Sequence, residues 1–176
     1  MSDAGGGDTT SPDSPPFLVL ARPGPPAPLP PGLVTHAGAC HCGAIAFEAD
    51  APPLLPVVQC NCSRCRLIGG PFCILPAGRF RLVRADPPPA PPAPPGTPAL
   101  TRYRFNTGAA LHTFCASCGV QAFYRPRSNP DCVSVLVPAL DGATVAGTTL
   151  TTFDGEHWEE AFAAGGAPKP AGRVSE

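Results

Sequence analysis

Gly38-Ala39-Cys40-His41-Cys42-Gly43-Ala44-Ile45-Ala46-Phe47 starts as a pair of metal-type ligands and ends as a strand. Ile45 and Phe47 alternate with Ala46 and Glu48, the period of two that marks a half-buried strand. The same period recurs at Phe80/Leu82 between arginines 79 and 81, and at Tyr103/Phe105 between arginines 102 and 104. It returns where Val133, Val135 and Val137 alternate with Cys132, Ser134 and Leu136. Continuous apolar runs at Val57-Val58 and Phe72–Leu75 read as further short strands. Breaks fall at Gly69-Gly70, Pro76–Gly78, Ser128–Asp131 and Asp141-Gly142. Only Glu156–Ala164 has a helical cast, with Trp158 and Phe162 on one face at i and i+4 and Asp154 placed to cap the N-terminus. The expectation is an all-β domain with one short C-terminal helix.

The 27 prolines and 19 glycines among 176 residues are concentrated outside these strands. Residues 1–32 read as a disordered Pro/Gly-rich leader, residues 87–98 as an extended polyproline insertion, and residues 165–176 as a flexible tail. Roughly 120 residues of foldable chain remain within 33–164, an ordinary size for one domain. The leader opens with Asp3 and Asp8 and its apolar run is short, so it does not read as a signal peptide. No stretch has the apolar length that crosses a bilayer. An intracellular protein, cytoplasmic or nuclear, without a membrane partner is expected, and there clustered cysteines bind metal more readily than they form disulfides.

Seven of the nine cysteines lie in three clusters: Cys40-His-Cys42, Cys60-Asn-Cys62-Ser-Arg-Cys65, and Cys115-Ala-Ser-Cys118-Gly119. Two thiolates three residues apart converge on one metal, and Gly119 relieves the turn behind them. A closed site needs four ligands, so the third cluster must borrow two. Pairing it with Cys40 and Cys42 uses every cluster whole; pairing it with part of the second strands the remainder. The first arrangement gives a four-thiolate structural zinc on Cys40, Cys42, Cys115 and Cys118, with Cys40 and Cys42 at i and i+2 on one strand face. It leaves a three-thiolate second zinc on Cys60, Cys62 and Cys65. Three protein ligands with an open position suit a catalytic or substrate-binding metal. Cys73, Cys132, His41 or His112 would close that site if one of them approached. Cys73 and Cys132 read instead as small strand hydrophobes, and His112 as a surface or core imidazole. Disulfides would leave an odd cysteine and bridge residues only two apart, which their geometry discourages.

The net charge of −1 hides an asymmetry. From position 64 to 127 nine arginines face one acidic residue, Asp86, for +8, while the remainder carries −9. Arginine alone suits bidentate binding of carboxylate or phosphate, although several of these residues are also the polar side of amphipathic strands.

The three clusters in order, with Phe105-Asn-Thr before the last, resemble the glutathione-dependent formaldehyde-activating enzyme family. His112-Thr-Phe-Cys-Ala-Ser-Cys-Gly-Val-Gln121 and Tyr124-Arg-Pro-Arg-Ser-Asn-Pro130 are similar to the centromere protein V-like members of that family. The resemblance spans roughly residues 33–163. It implies a β-tent of twisted antiparallel sheets, two zinc ions on the seven cysteines, and carbon–sulfur lyase-type chemistry on a glutathione–aldehyde adduct, with formaldehyde as the family's aldehyde. Cys60, Cys62 and Cys65 then hold the zinc at which the reaction occurs, and Arg64 and Arg66, flanking Cys65, are candidates to cradle the glutathione carboxylates. Two other functions stay open: a glutathione- or thiol-binding module without turnover, and a centromere- or microtubule-associated interaction protein. The segment before Val34 carries Arg22 against Asp3, Asp8 and Asp13, which gives little grip on DNA or acidic tubulin. The cysteine pattern also lacks a zinc finger's recognition helix, so neither nucleic acid nor microtubules are expected as partners.

Overall fold

Ten strands form from the alternating and apolar segments, in two sheets, in a computed structural model that describes residues 28–86 and 99–172. The leader before residue 28, the polyproline insertion at 87–98 and the last four residues lie outside the described residues. The smaller sheet has the order β1 (Val34–Ala39), β2 (Ile45–Ala51), β5 (Phe80–Ala85), all antiparallel. The larger runs β10 (Gly147–Phe153), β3 (Leu54–Cys60), β4 (Phe72–Pro76), β9 (Cys132–Leu136), β8 (Phe123–Arg125), β7 (Leu111–Cys115), β6 (Leu100–Tyr103). The protein is mostly β, as its alternation implies.

The core lies between the sheets. Ile45, Phe47, Phe80 and Leu82 of the small sheet face Leu55, Val57, Cys73, Leu75, Val133, Val135 and Phe123 of the large one. Phe47, Phe80 and Phe123 form an aromatic triangle with centroid separations of 5.4, 5.7 and 4.7 Å. Cys73 is fully buried there, and burial pushes its thiol up to about 12, the behaviour of a small hydrophobe.

Three features depart from the sequence reading. First, β10 pairs with β3 in parallel, the one exception to antiparallel pairing among the described strands. Its Gly-Thr-Thr-Leu-Thr-Thr-Phe sequence is exposed until Phe153, so no buried face announces it. Second, a six-residue helix α1 (Ser63–Ile68) follows β3, and the C-terminal helix α2 (Trp158–Ala163) starts later than expected. Asp154 does not cap α2; its carboxylate accepts from the His157 N–H and from Asn61, one turn before the helix. Third, the segment read as a loose tail is laid against the fold as far as Gly172. Ala171 is buried, its N–H donates to the Ile74 carbonyl at 2.7 Å, and Arg79 donates to the carbonyls of Ala171 and Gly172.

On the small sheet Arg81 forks onto Asp50 and also reaches Glu48. Burial raises the Asp50 carboxyl, but the Arg81 hydrogen bonds, Thr35 and the Arg81 charge outweigh it and hold it below its ordinary 3.8. A carboxyl depressed on folding stabilises the fold above its unfolded value and loses that contribution as pH falls through its folded value. Arg81→Leu should therefore destabilise by about 2 kcal/mol at pH 7, less than a fully buried pair because Arg81 is 28% exposed. In denaturant titrations the deficit should shrink below about pH 4, where Asp50 protonates in the unfolded chain.

Candidate metal centres and an adjoining pocket

Two turns build the first cysteine group. Cys40 and Cys42 sit in the turn between β1 and β2, not on a strand as their spacing suggested, while Cys115 ends β7 and Cys118 sits in the turn that follows it. Both turns close on the carbonyl of their first cysteine. The Gly43 N–H donates to the Cys40 carbonyl at 3.0 Å, and the Gly119 N–H to the Cys115 carbonyl at 2.9 Å. Each glycine takes a left-handed φ, 74° and 72°, which a side chain would resist. Cys42 Sγ lies 3.6 Å from both Cys40 Sγ and Cys115 Sγ, and all four sulfurs fall within 4.8 Å of one another. Hydrogen bonding from the Ala44 amide holds the Cys42 thiol down to about 6, whereas burial pushes Cys115 up to about 12. Four sulfurs this close share their protons unless a cation replaces them, and an all-sulfur tetrad suits a soft or borderline metal.

The second group is made by the end of β3 and the start of α1. Cys60 follows Val58 at i+2, on the face of the large sheet opposite the core. Cys62 is the N-cap of α1, with its Sγ accepting from the Cys65 N–H at 3.4 Å, so a sulfur takes the place of the usual serine oxygen. Cys60 Sγ accepts from the Cys62 N–H at 3.4 Å. Bonds from Cys60 and Cys65 hold the Cys62 thiol far below its ordinary range, and those two sulfurs correspondingly keep their protons. The three sulfurs lie within 4.8 Å, and among the described residues no fourth Cys, His, Asp or Glu joins them. His41 is exposed elsewhere, and Cys73 is in the core.

The loop after β10 closes one side of this group. Asn61 donates to Asp154 at 2.9 Å and accepts from the Glu156 N–H at 3.0 Å, clasping residues 153–156 over the cysteines. A Cβ on Gly155 would stand 2.4 Å from Cys60 Sγ and 2.9 Å from Cys62 Cβ, so only glycine fits. On the other side the cysteines open into a cavity of about 120 Å³. Strand register builds its wall: Ile74, Ser134, Tyr124 and His112 are successive cross-strand partners on β4, β9, β8 and β7. Phe72 and Val58, paired across β4 and β3, continue it to the cysteines. Asn106, at a left-handed φ of 51°, and Trp158 of α2 complete the enclosure.

The expected arginines lie elsewhere. Arg64 donates to Gln121 Oε1 at 3.1 Å and sits 5.8 Å above the Tyr103 ring. Arg66 is exposed and lines the cleft on the far side of Cys60 and Cys65. The arginine on the cavity is Arg127, whose guanidinium lies 3.6 Å over the Trp158 ring and pairs with the exposed Glu159. Because Gln121 Oε1 accepts from Arg64, it also accepts from His112 Nδ1, 3.3 Å away. This assigns the Nδ1–H tautomer and leaves Nε2 with its lone pair. Burial first, and the Arg64 charge second, lower the His112 pKa, so the ring is neutral at pH 7. Sequence reasoning placed His112 on the surface or in the core, and it missed Tyr124, Ser134, Gly155 and Trp158. Cross-strand register brings the first two to the wall, and no local pattern reports register.

A mostly β, two-sheet protein with two thiolate groups able to hold metal, one closed and one opening into a pocket, is the class this geometry defines. Residues 35–156 match the family model described as glutathione-dependent formaldehyde-activating enzyme, and the chain belongs to that family. A crystal structure of a Rhodobacter sphaeroides protein is similar at 31% identity with a TM-score of 0.51, over 64% of this chain and 99% of that one. Among the described residues no helix is long and apolar enough to cross a membrane.

Proposed function

We propose that the protein adds glutathione to a small aldehyde and cleaves the adduct again, a carbon–sulfur lyase-type reaction at the three-cysteine group. The observation that carries this reading is the convergence of Cys60, Cys62 and Cys65 on one point that has no fourth ligand among the described residues and faces a cavity. Their sulfur donor set fits zinc, as does that of Cys40, Cys42, Cys115 and Cys118, which we assign to a structural ion. Zinc in the open group supplies a coordination position for a thiolate sulfur and favours its deprotonation.

The chain's own residues account for the rest. Gly155 packs against Cys60 and Cys62 at the edge of the cavity, and a thiol enters from the cavity. A space of about 120 Å³ holds a thiol-bearing carbon and a small aldehyde, and it leaves the body of the tripeptide outside. Arg127 stands there to meet a carboxylate, with Glu159 as the counterion it would exchange. Arg64 acts through Gln121 to fix His112. His112 Nε2 accepts the thiol proton; the sulfur lone pair forms the C–S bond; the carbonyl π pair moves to oxygen; and that oxygen takes the proton back from Nε2. Reversal breaks the C–S bond with the same bookkeeping of protons.

The test is a zinc count on the wild type and Cys62→Ser, followed by calorimetric titration with glutathione. Two zinc ions should fall to one, with glutathione binding lost and the thermal transition retained. A wild type holding a single zinc, or glutathione binding that survives the loss of the second ion, contradicts the reading. An aldehyde-plus-glutathione turnover assay then separates an enzyme from a binder.

A further inference from the structure

Ser134 sits in the middle of the cavity wall, fully buried, and among the described residues no hydrogen bond of good geometry satisfies its Oγ, with the Tyr124 hydroxyl the neighbour in reach of it. Packing does not require a hydroxyl here. Its neighbours along β9 are Val133 and Val135, and alanine would occupy nearly the same space as Ser134 without leaving a polar atom dry. Native proteins leave few such atoms unsatisfied, and an orphan hydroxyl on a cavity wall points to something that visits the cavity.

Tyr124 is Ser134's cross-strand partner and presents the second hydroxyl of this wall. Its ring is held on two sides, edge-on against Phe72 at 5.0 Å and stacked on His112 at 4.9 Å with 6° between planes. The hydroxyl is therefore fixed in place by carbon packing. Burial keeps the phenol protonated, which makes it a donor, and Ser134 is its hydrogen-bonding neighbour. The rest of this wall, at Val58, Phe72 and Ile74, is apolar.

The geometry points to Ser134 and Tyr124 as the receptor for the aldehyde-derived oxygen, the carbonyl oxygen before C–S bond formation and the hydroxyl of the hemithioacetal after it. This rests on the glutathione reading above and adds a specificity to it. The pocket selects an oxygen on a carbon close to the glutathione sulfur, and it rejects an S-alkyl chain of equal size that offers neither hydroxyl a partner. A site built to hydrogen-bond a hydroxyl discriminates strongly against analogues that lack it.

The test compares two stable ligands of similar volume, S-(2-hydroxyethyl)glutathione and S-propylglutathione, titrated into the zinc-loaded full-length chain. Wild type should bind the hydroxyethyl ligand about tenfold more tightly. Ser134→Ala and Tyr124→Phe should each remove most of that preference, and the double variant all of it, with S-propylglutathione affinity no weaker than in wild type. Tyr124→Phe keeps the ring stack, and zinc content with thermal melting reports whether each variant retains the fold. Equal binding of the two ligands by wild type, or a preference that survives in the double variant, overturns the inference and leaves the glutathione reading intact. Wild type binding neither ligand overturns both.

Discussion

Cys115→Ser is expected to give a chain with no cooperative thermal transition and no bound zinc at the four-cysteine group. Cys42 and Cys115 come from turns 73 positions apart, and their sulfurs stand 3.6 Å from each other. The Cys40–Ala44 turn belongs to the small sheet and the Cys115–Gly119 turn to the large one, so one ion would bind the two sheets together at this end. A structural zinc contributes about 10–16 kcal/mol apparent in peptide systems, which matches or exceeds the whole stability of an ordinary domain. The core triangle of Phe47, Phe80 and Phe123 also spans the two sheets, and it is not expected to hold them alone. Circular dichroism melting with metal analysis checks this. A folded variant with a normal melt, or a chelated wild type that still melts cooperatively, would show that the core suffices without the metal.

Gly155→Ala should have the opposite profile, with the fold kept and the second metal lost. The added methyl would lie 2.4 Å from Cys60 Sγ, closer than real contacts allow, and 3.3 Å from the Cys62 backbone nitrogen. Neither neighbour can yield easily, because Asn61 clasps the loop from Asp154 to Glu156. The cost falls on the three sulfurs, whose convergence needs that backbone in place. Zinc should drop from two ions per chain to one, glutathione binding should fall by at least tenfold, and the melting transition should stay cooperative. A Gly155→Ala protein that keeps two zinc ions would mean that the loop yields after all.

How much of this was legible differs by residue. The two cysteine groups were readable because spacing brings each cluster's thiolates close enough to share one metal ion. The core strands were readable because Ile45, Phe47, Phe80 and Leu82 bury one face. Ser134 shows where that logic ends. Its alternation with Val133 and Val135 implies a polar side facing solvent, but β9 is central and covered on both faces, so the polar position became the wall of a pocket. His112 and Tyr124 joined it through pairings that depend on how β7, β8 and β9 align. Register is a property of the whole sheet, and a single strand does not state it. Helix α1 escaped notice because six residues carry no period, although Gly69 at φ 72° ends it in the manner of a helix C-cap. Arg64 and Arg66 were singled out for their nearness to Cys65 in sequence, whereas the arginine beside the cavity comes from the loop after β8.

The parallel pairing of β10 with β3 sets an order of events during synthesis. Gly147 meets Leu54 and Phe153 meets Cys60, a constant separation of 93 positions. Every ligand of the four-cysteine group has been made by residue 118, so that group can form while the C-terminal part of the chain is still on the ribosome. The three-cysteine group has its sulfurs by residue 65 but lacks its cover until Gly155 arrives. For that interval the three thiols are open on both sides to oxidants and to competing metals. On the proposed assignment, the group that reacts is therefore the one left uncovered for longer.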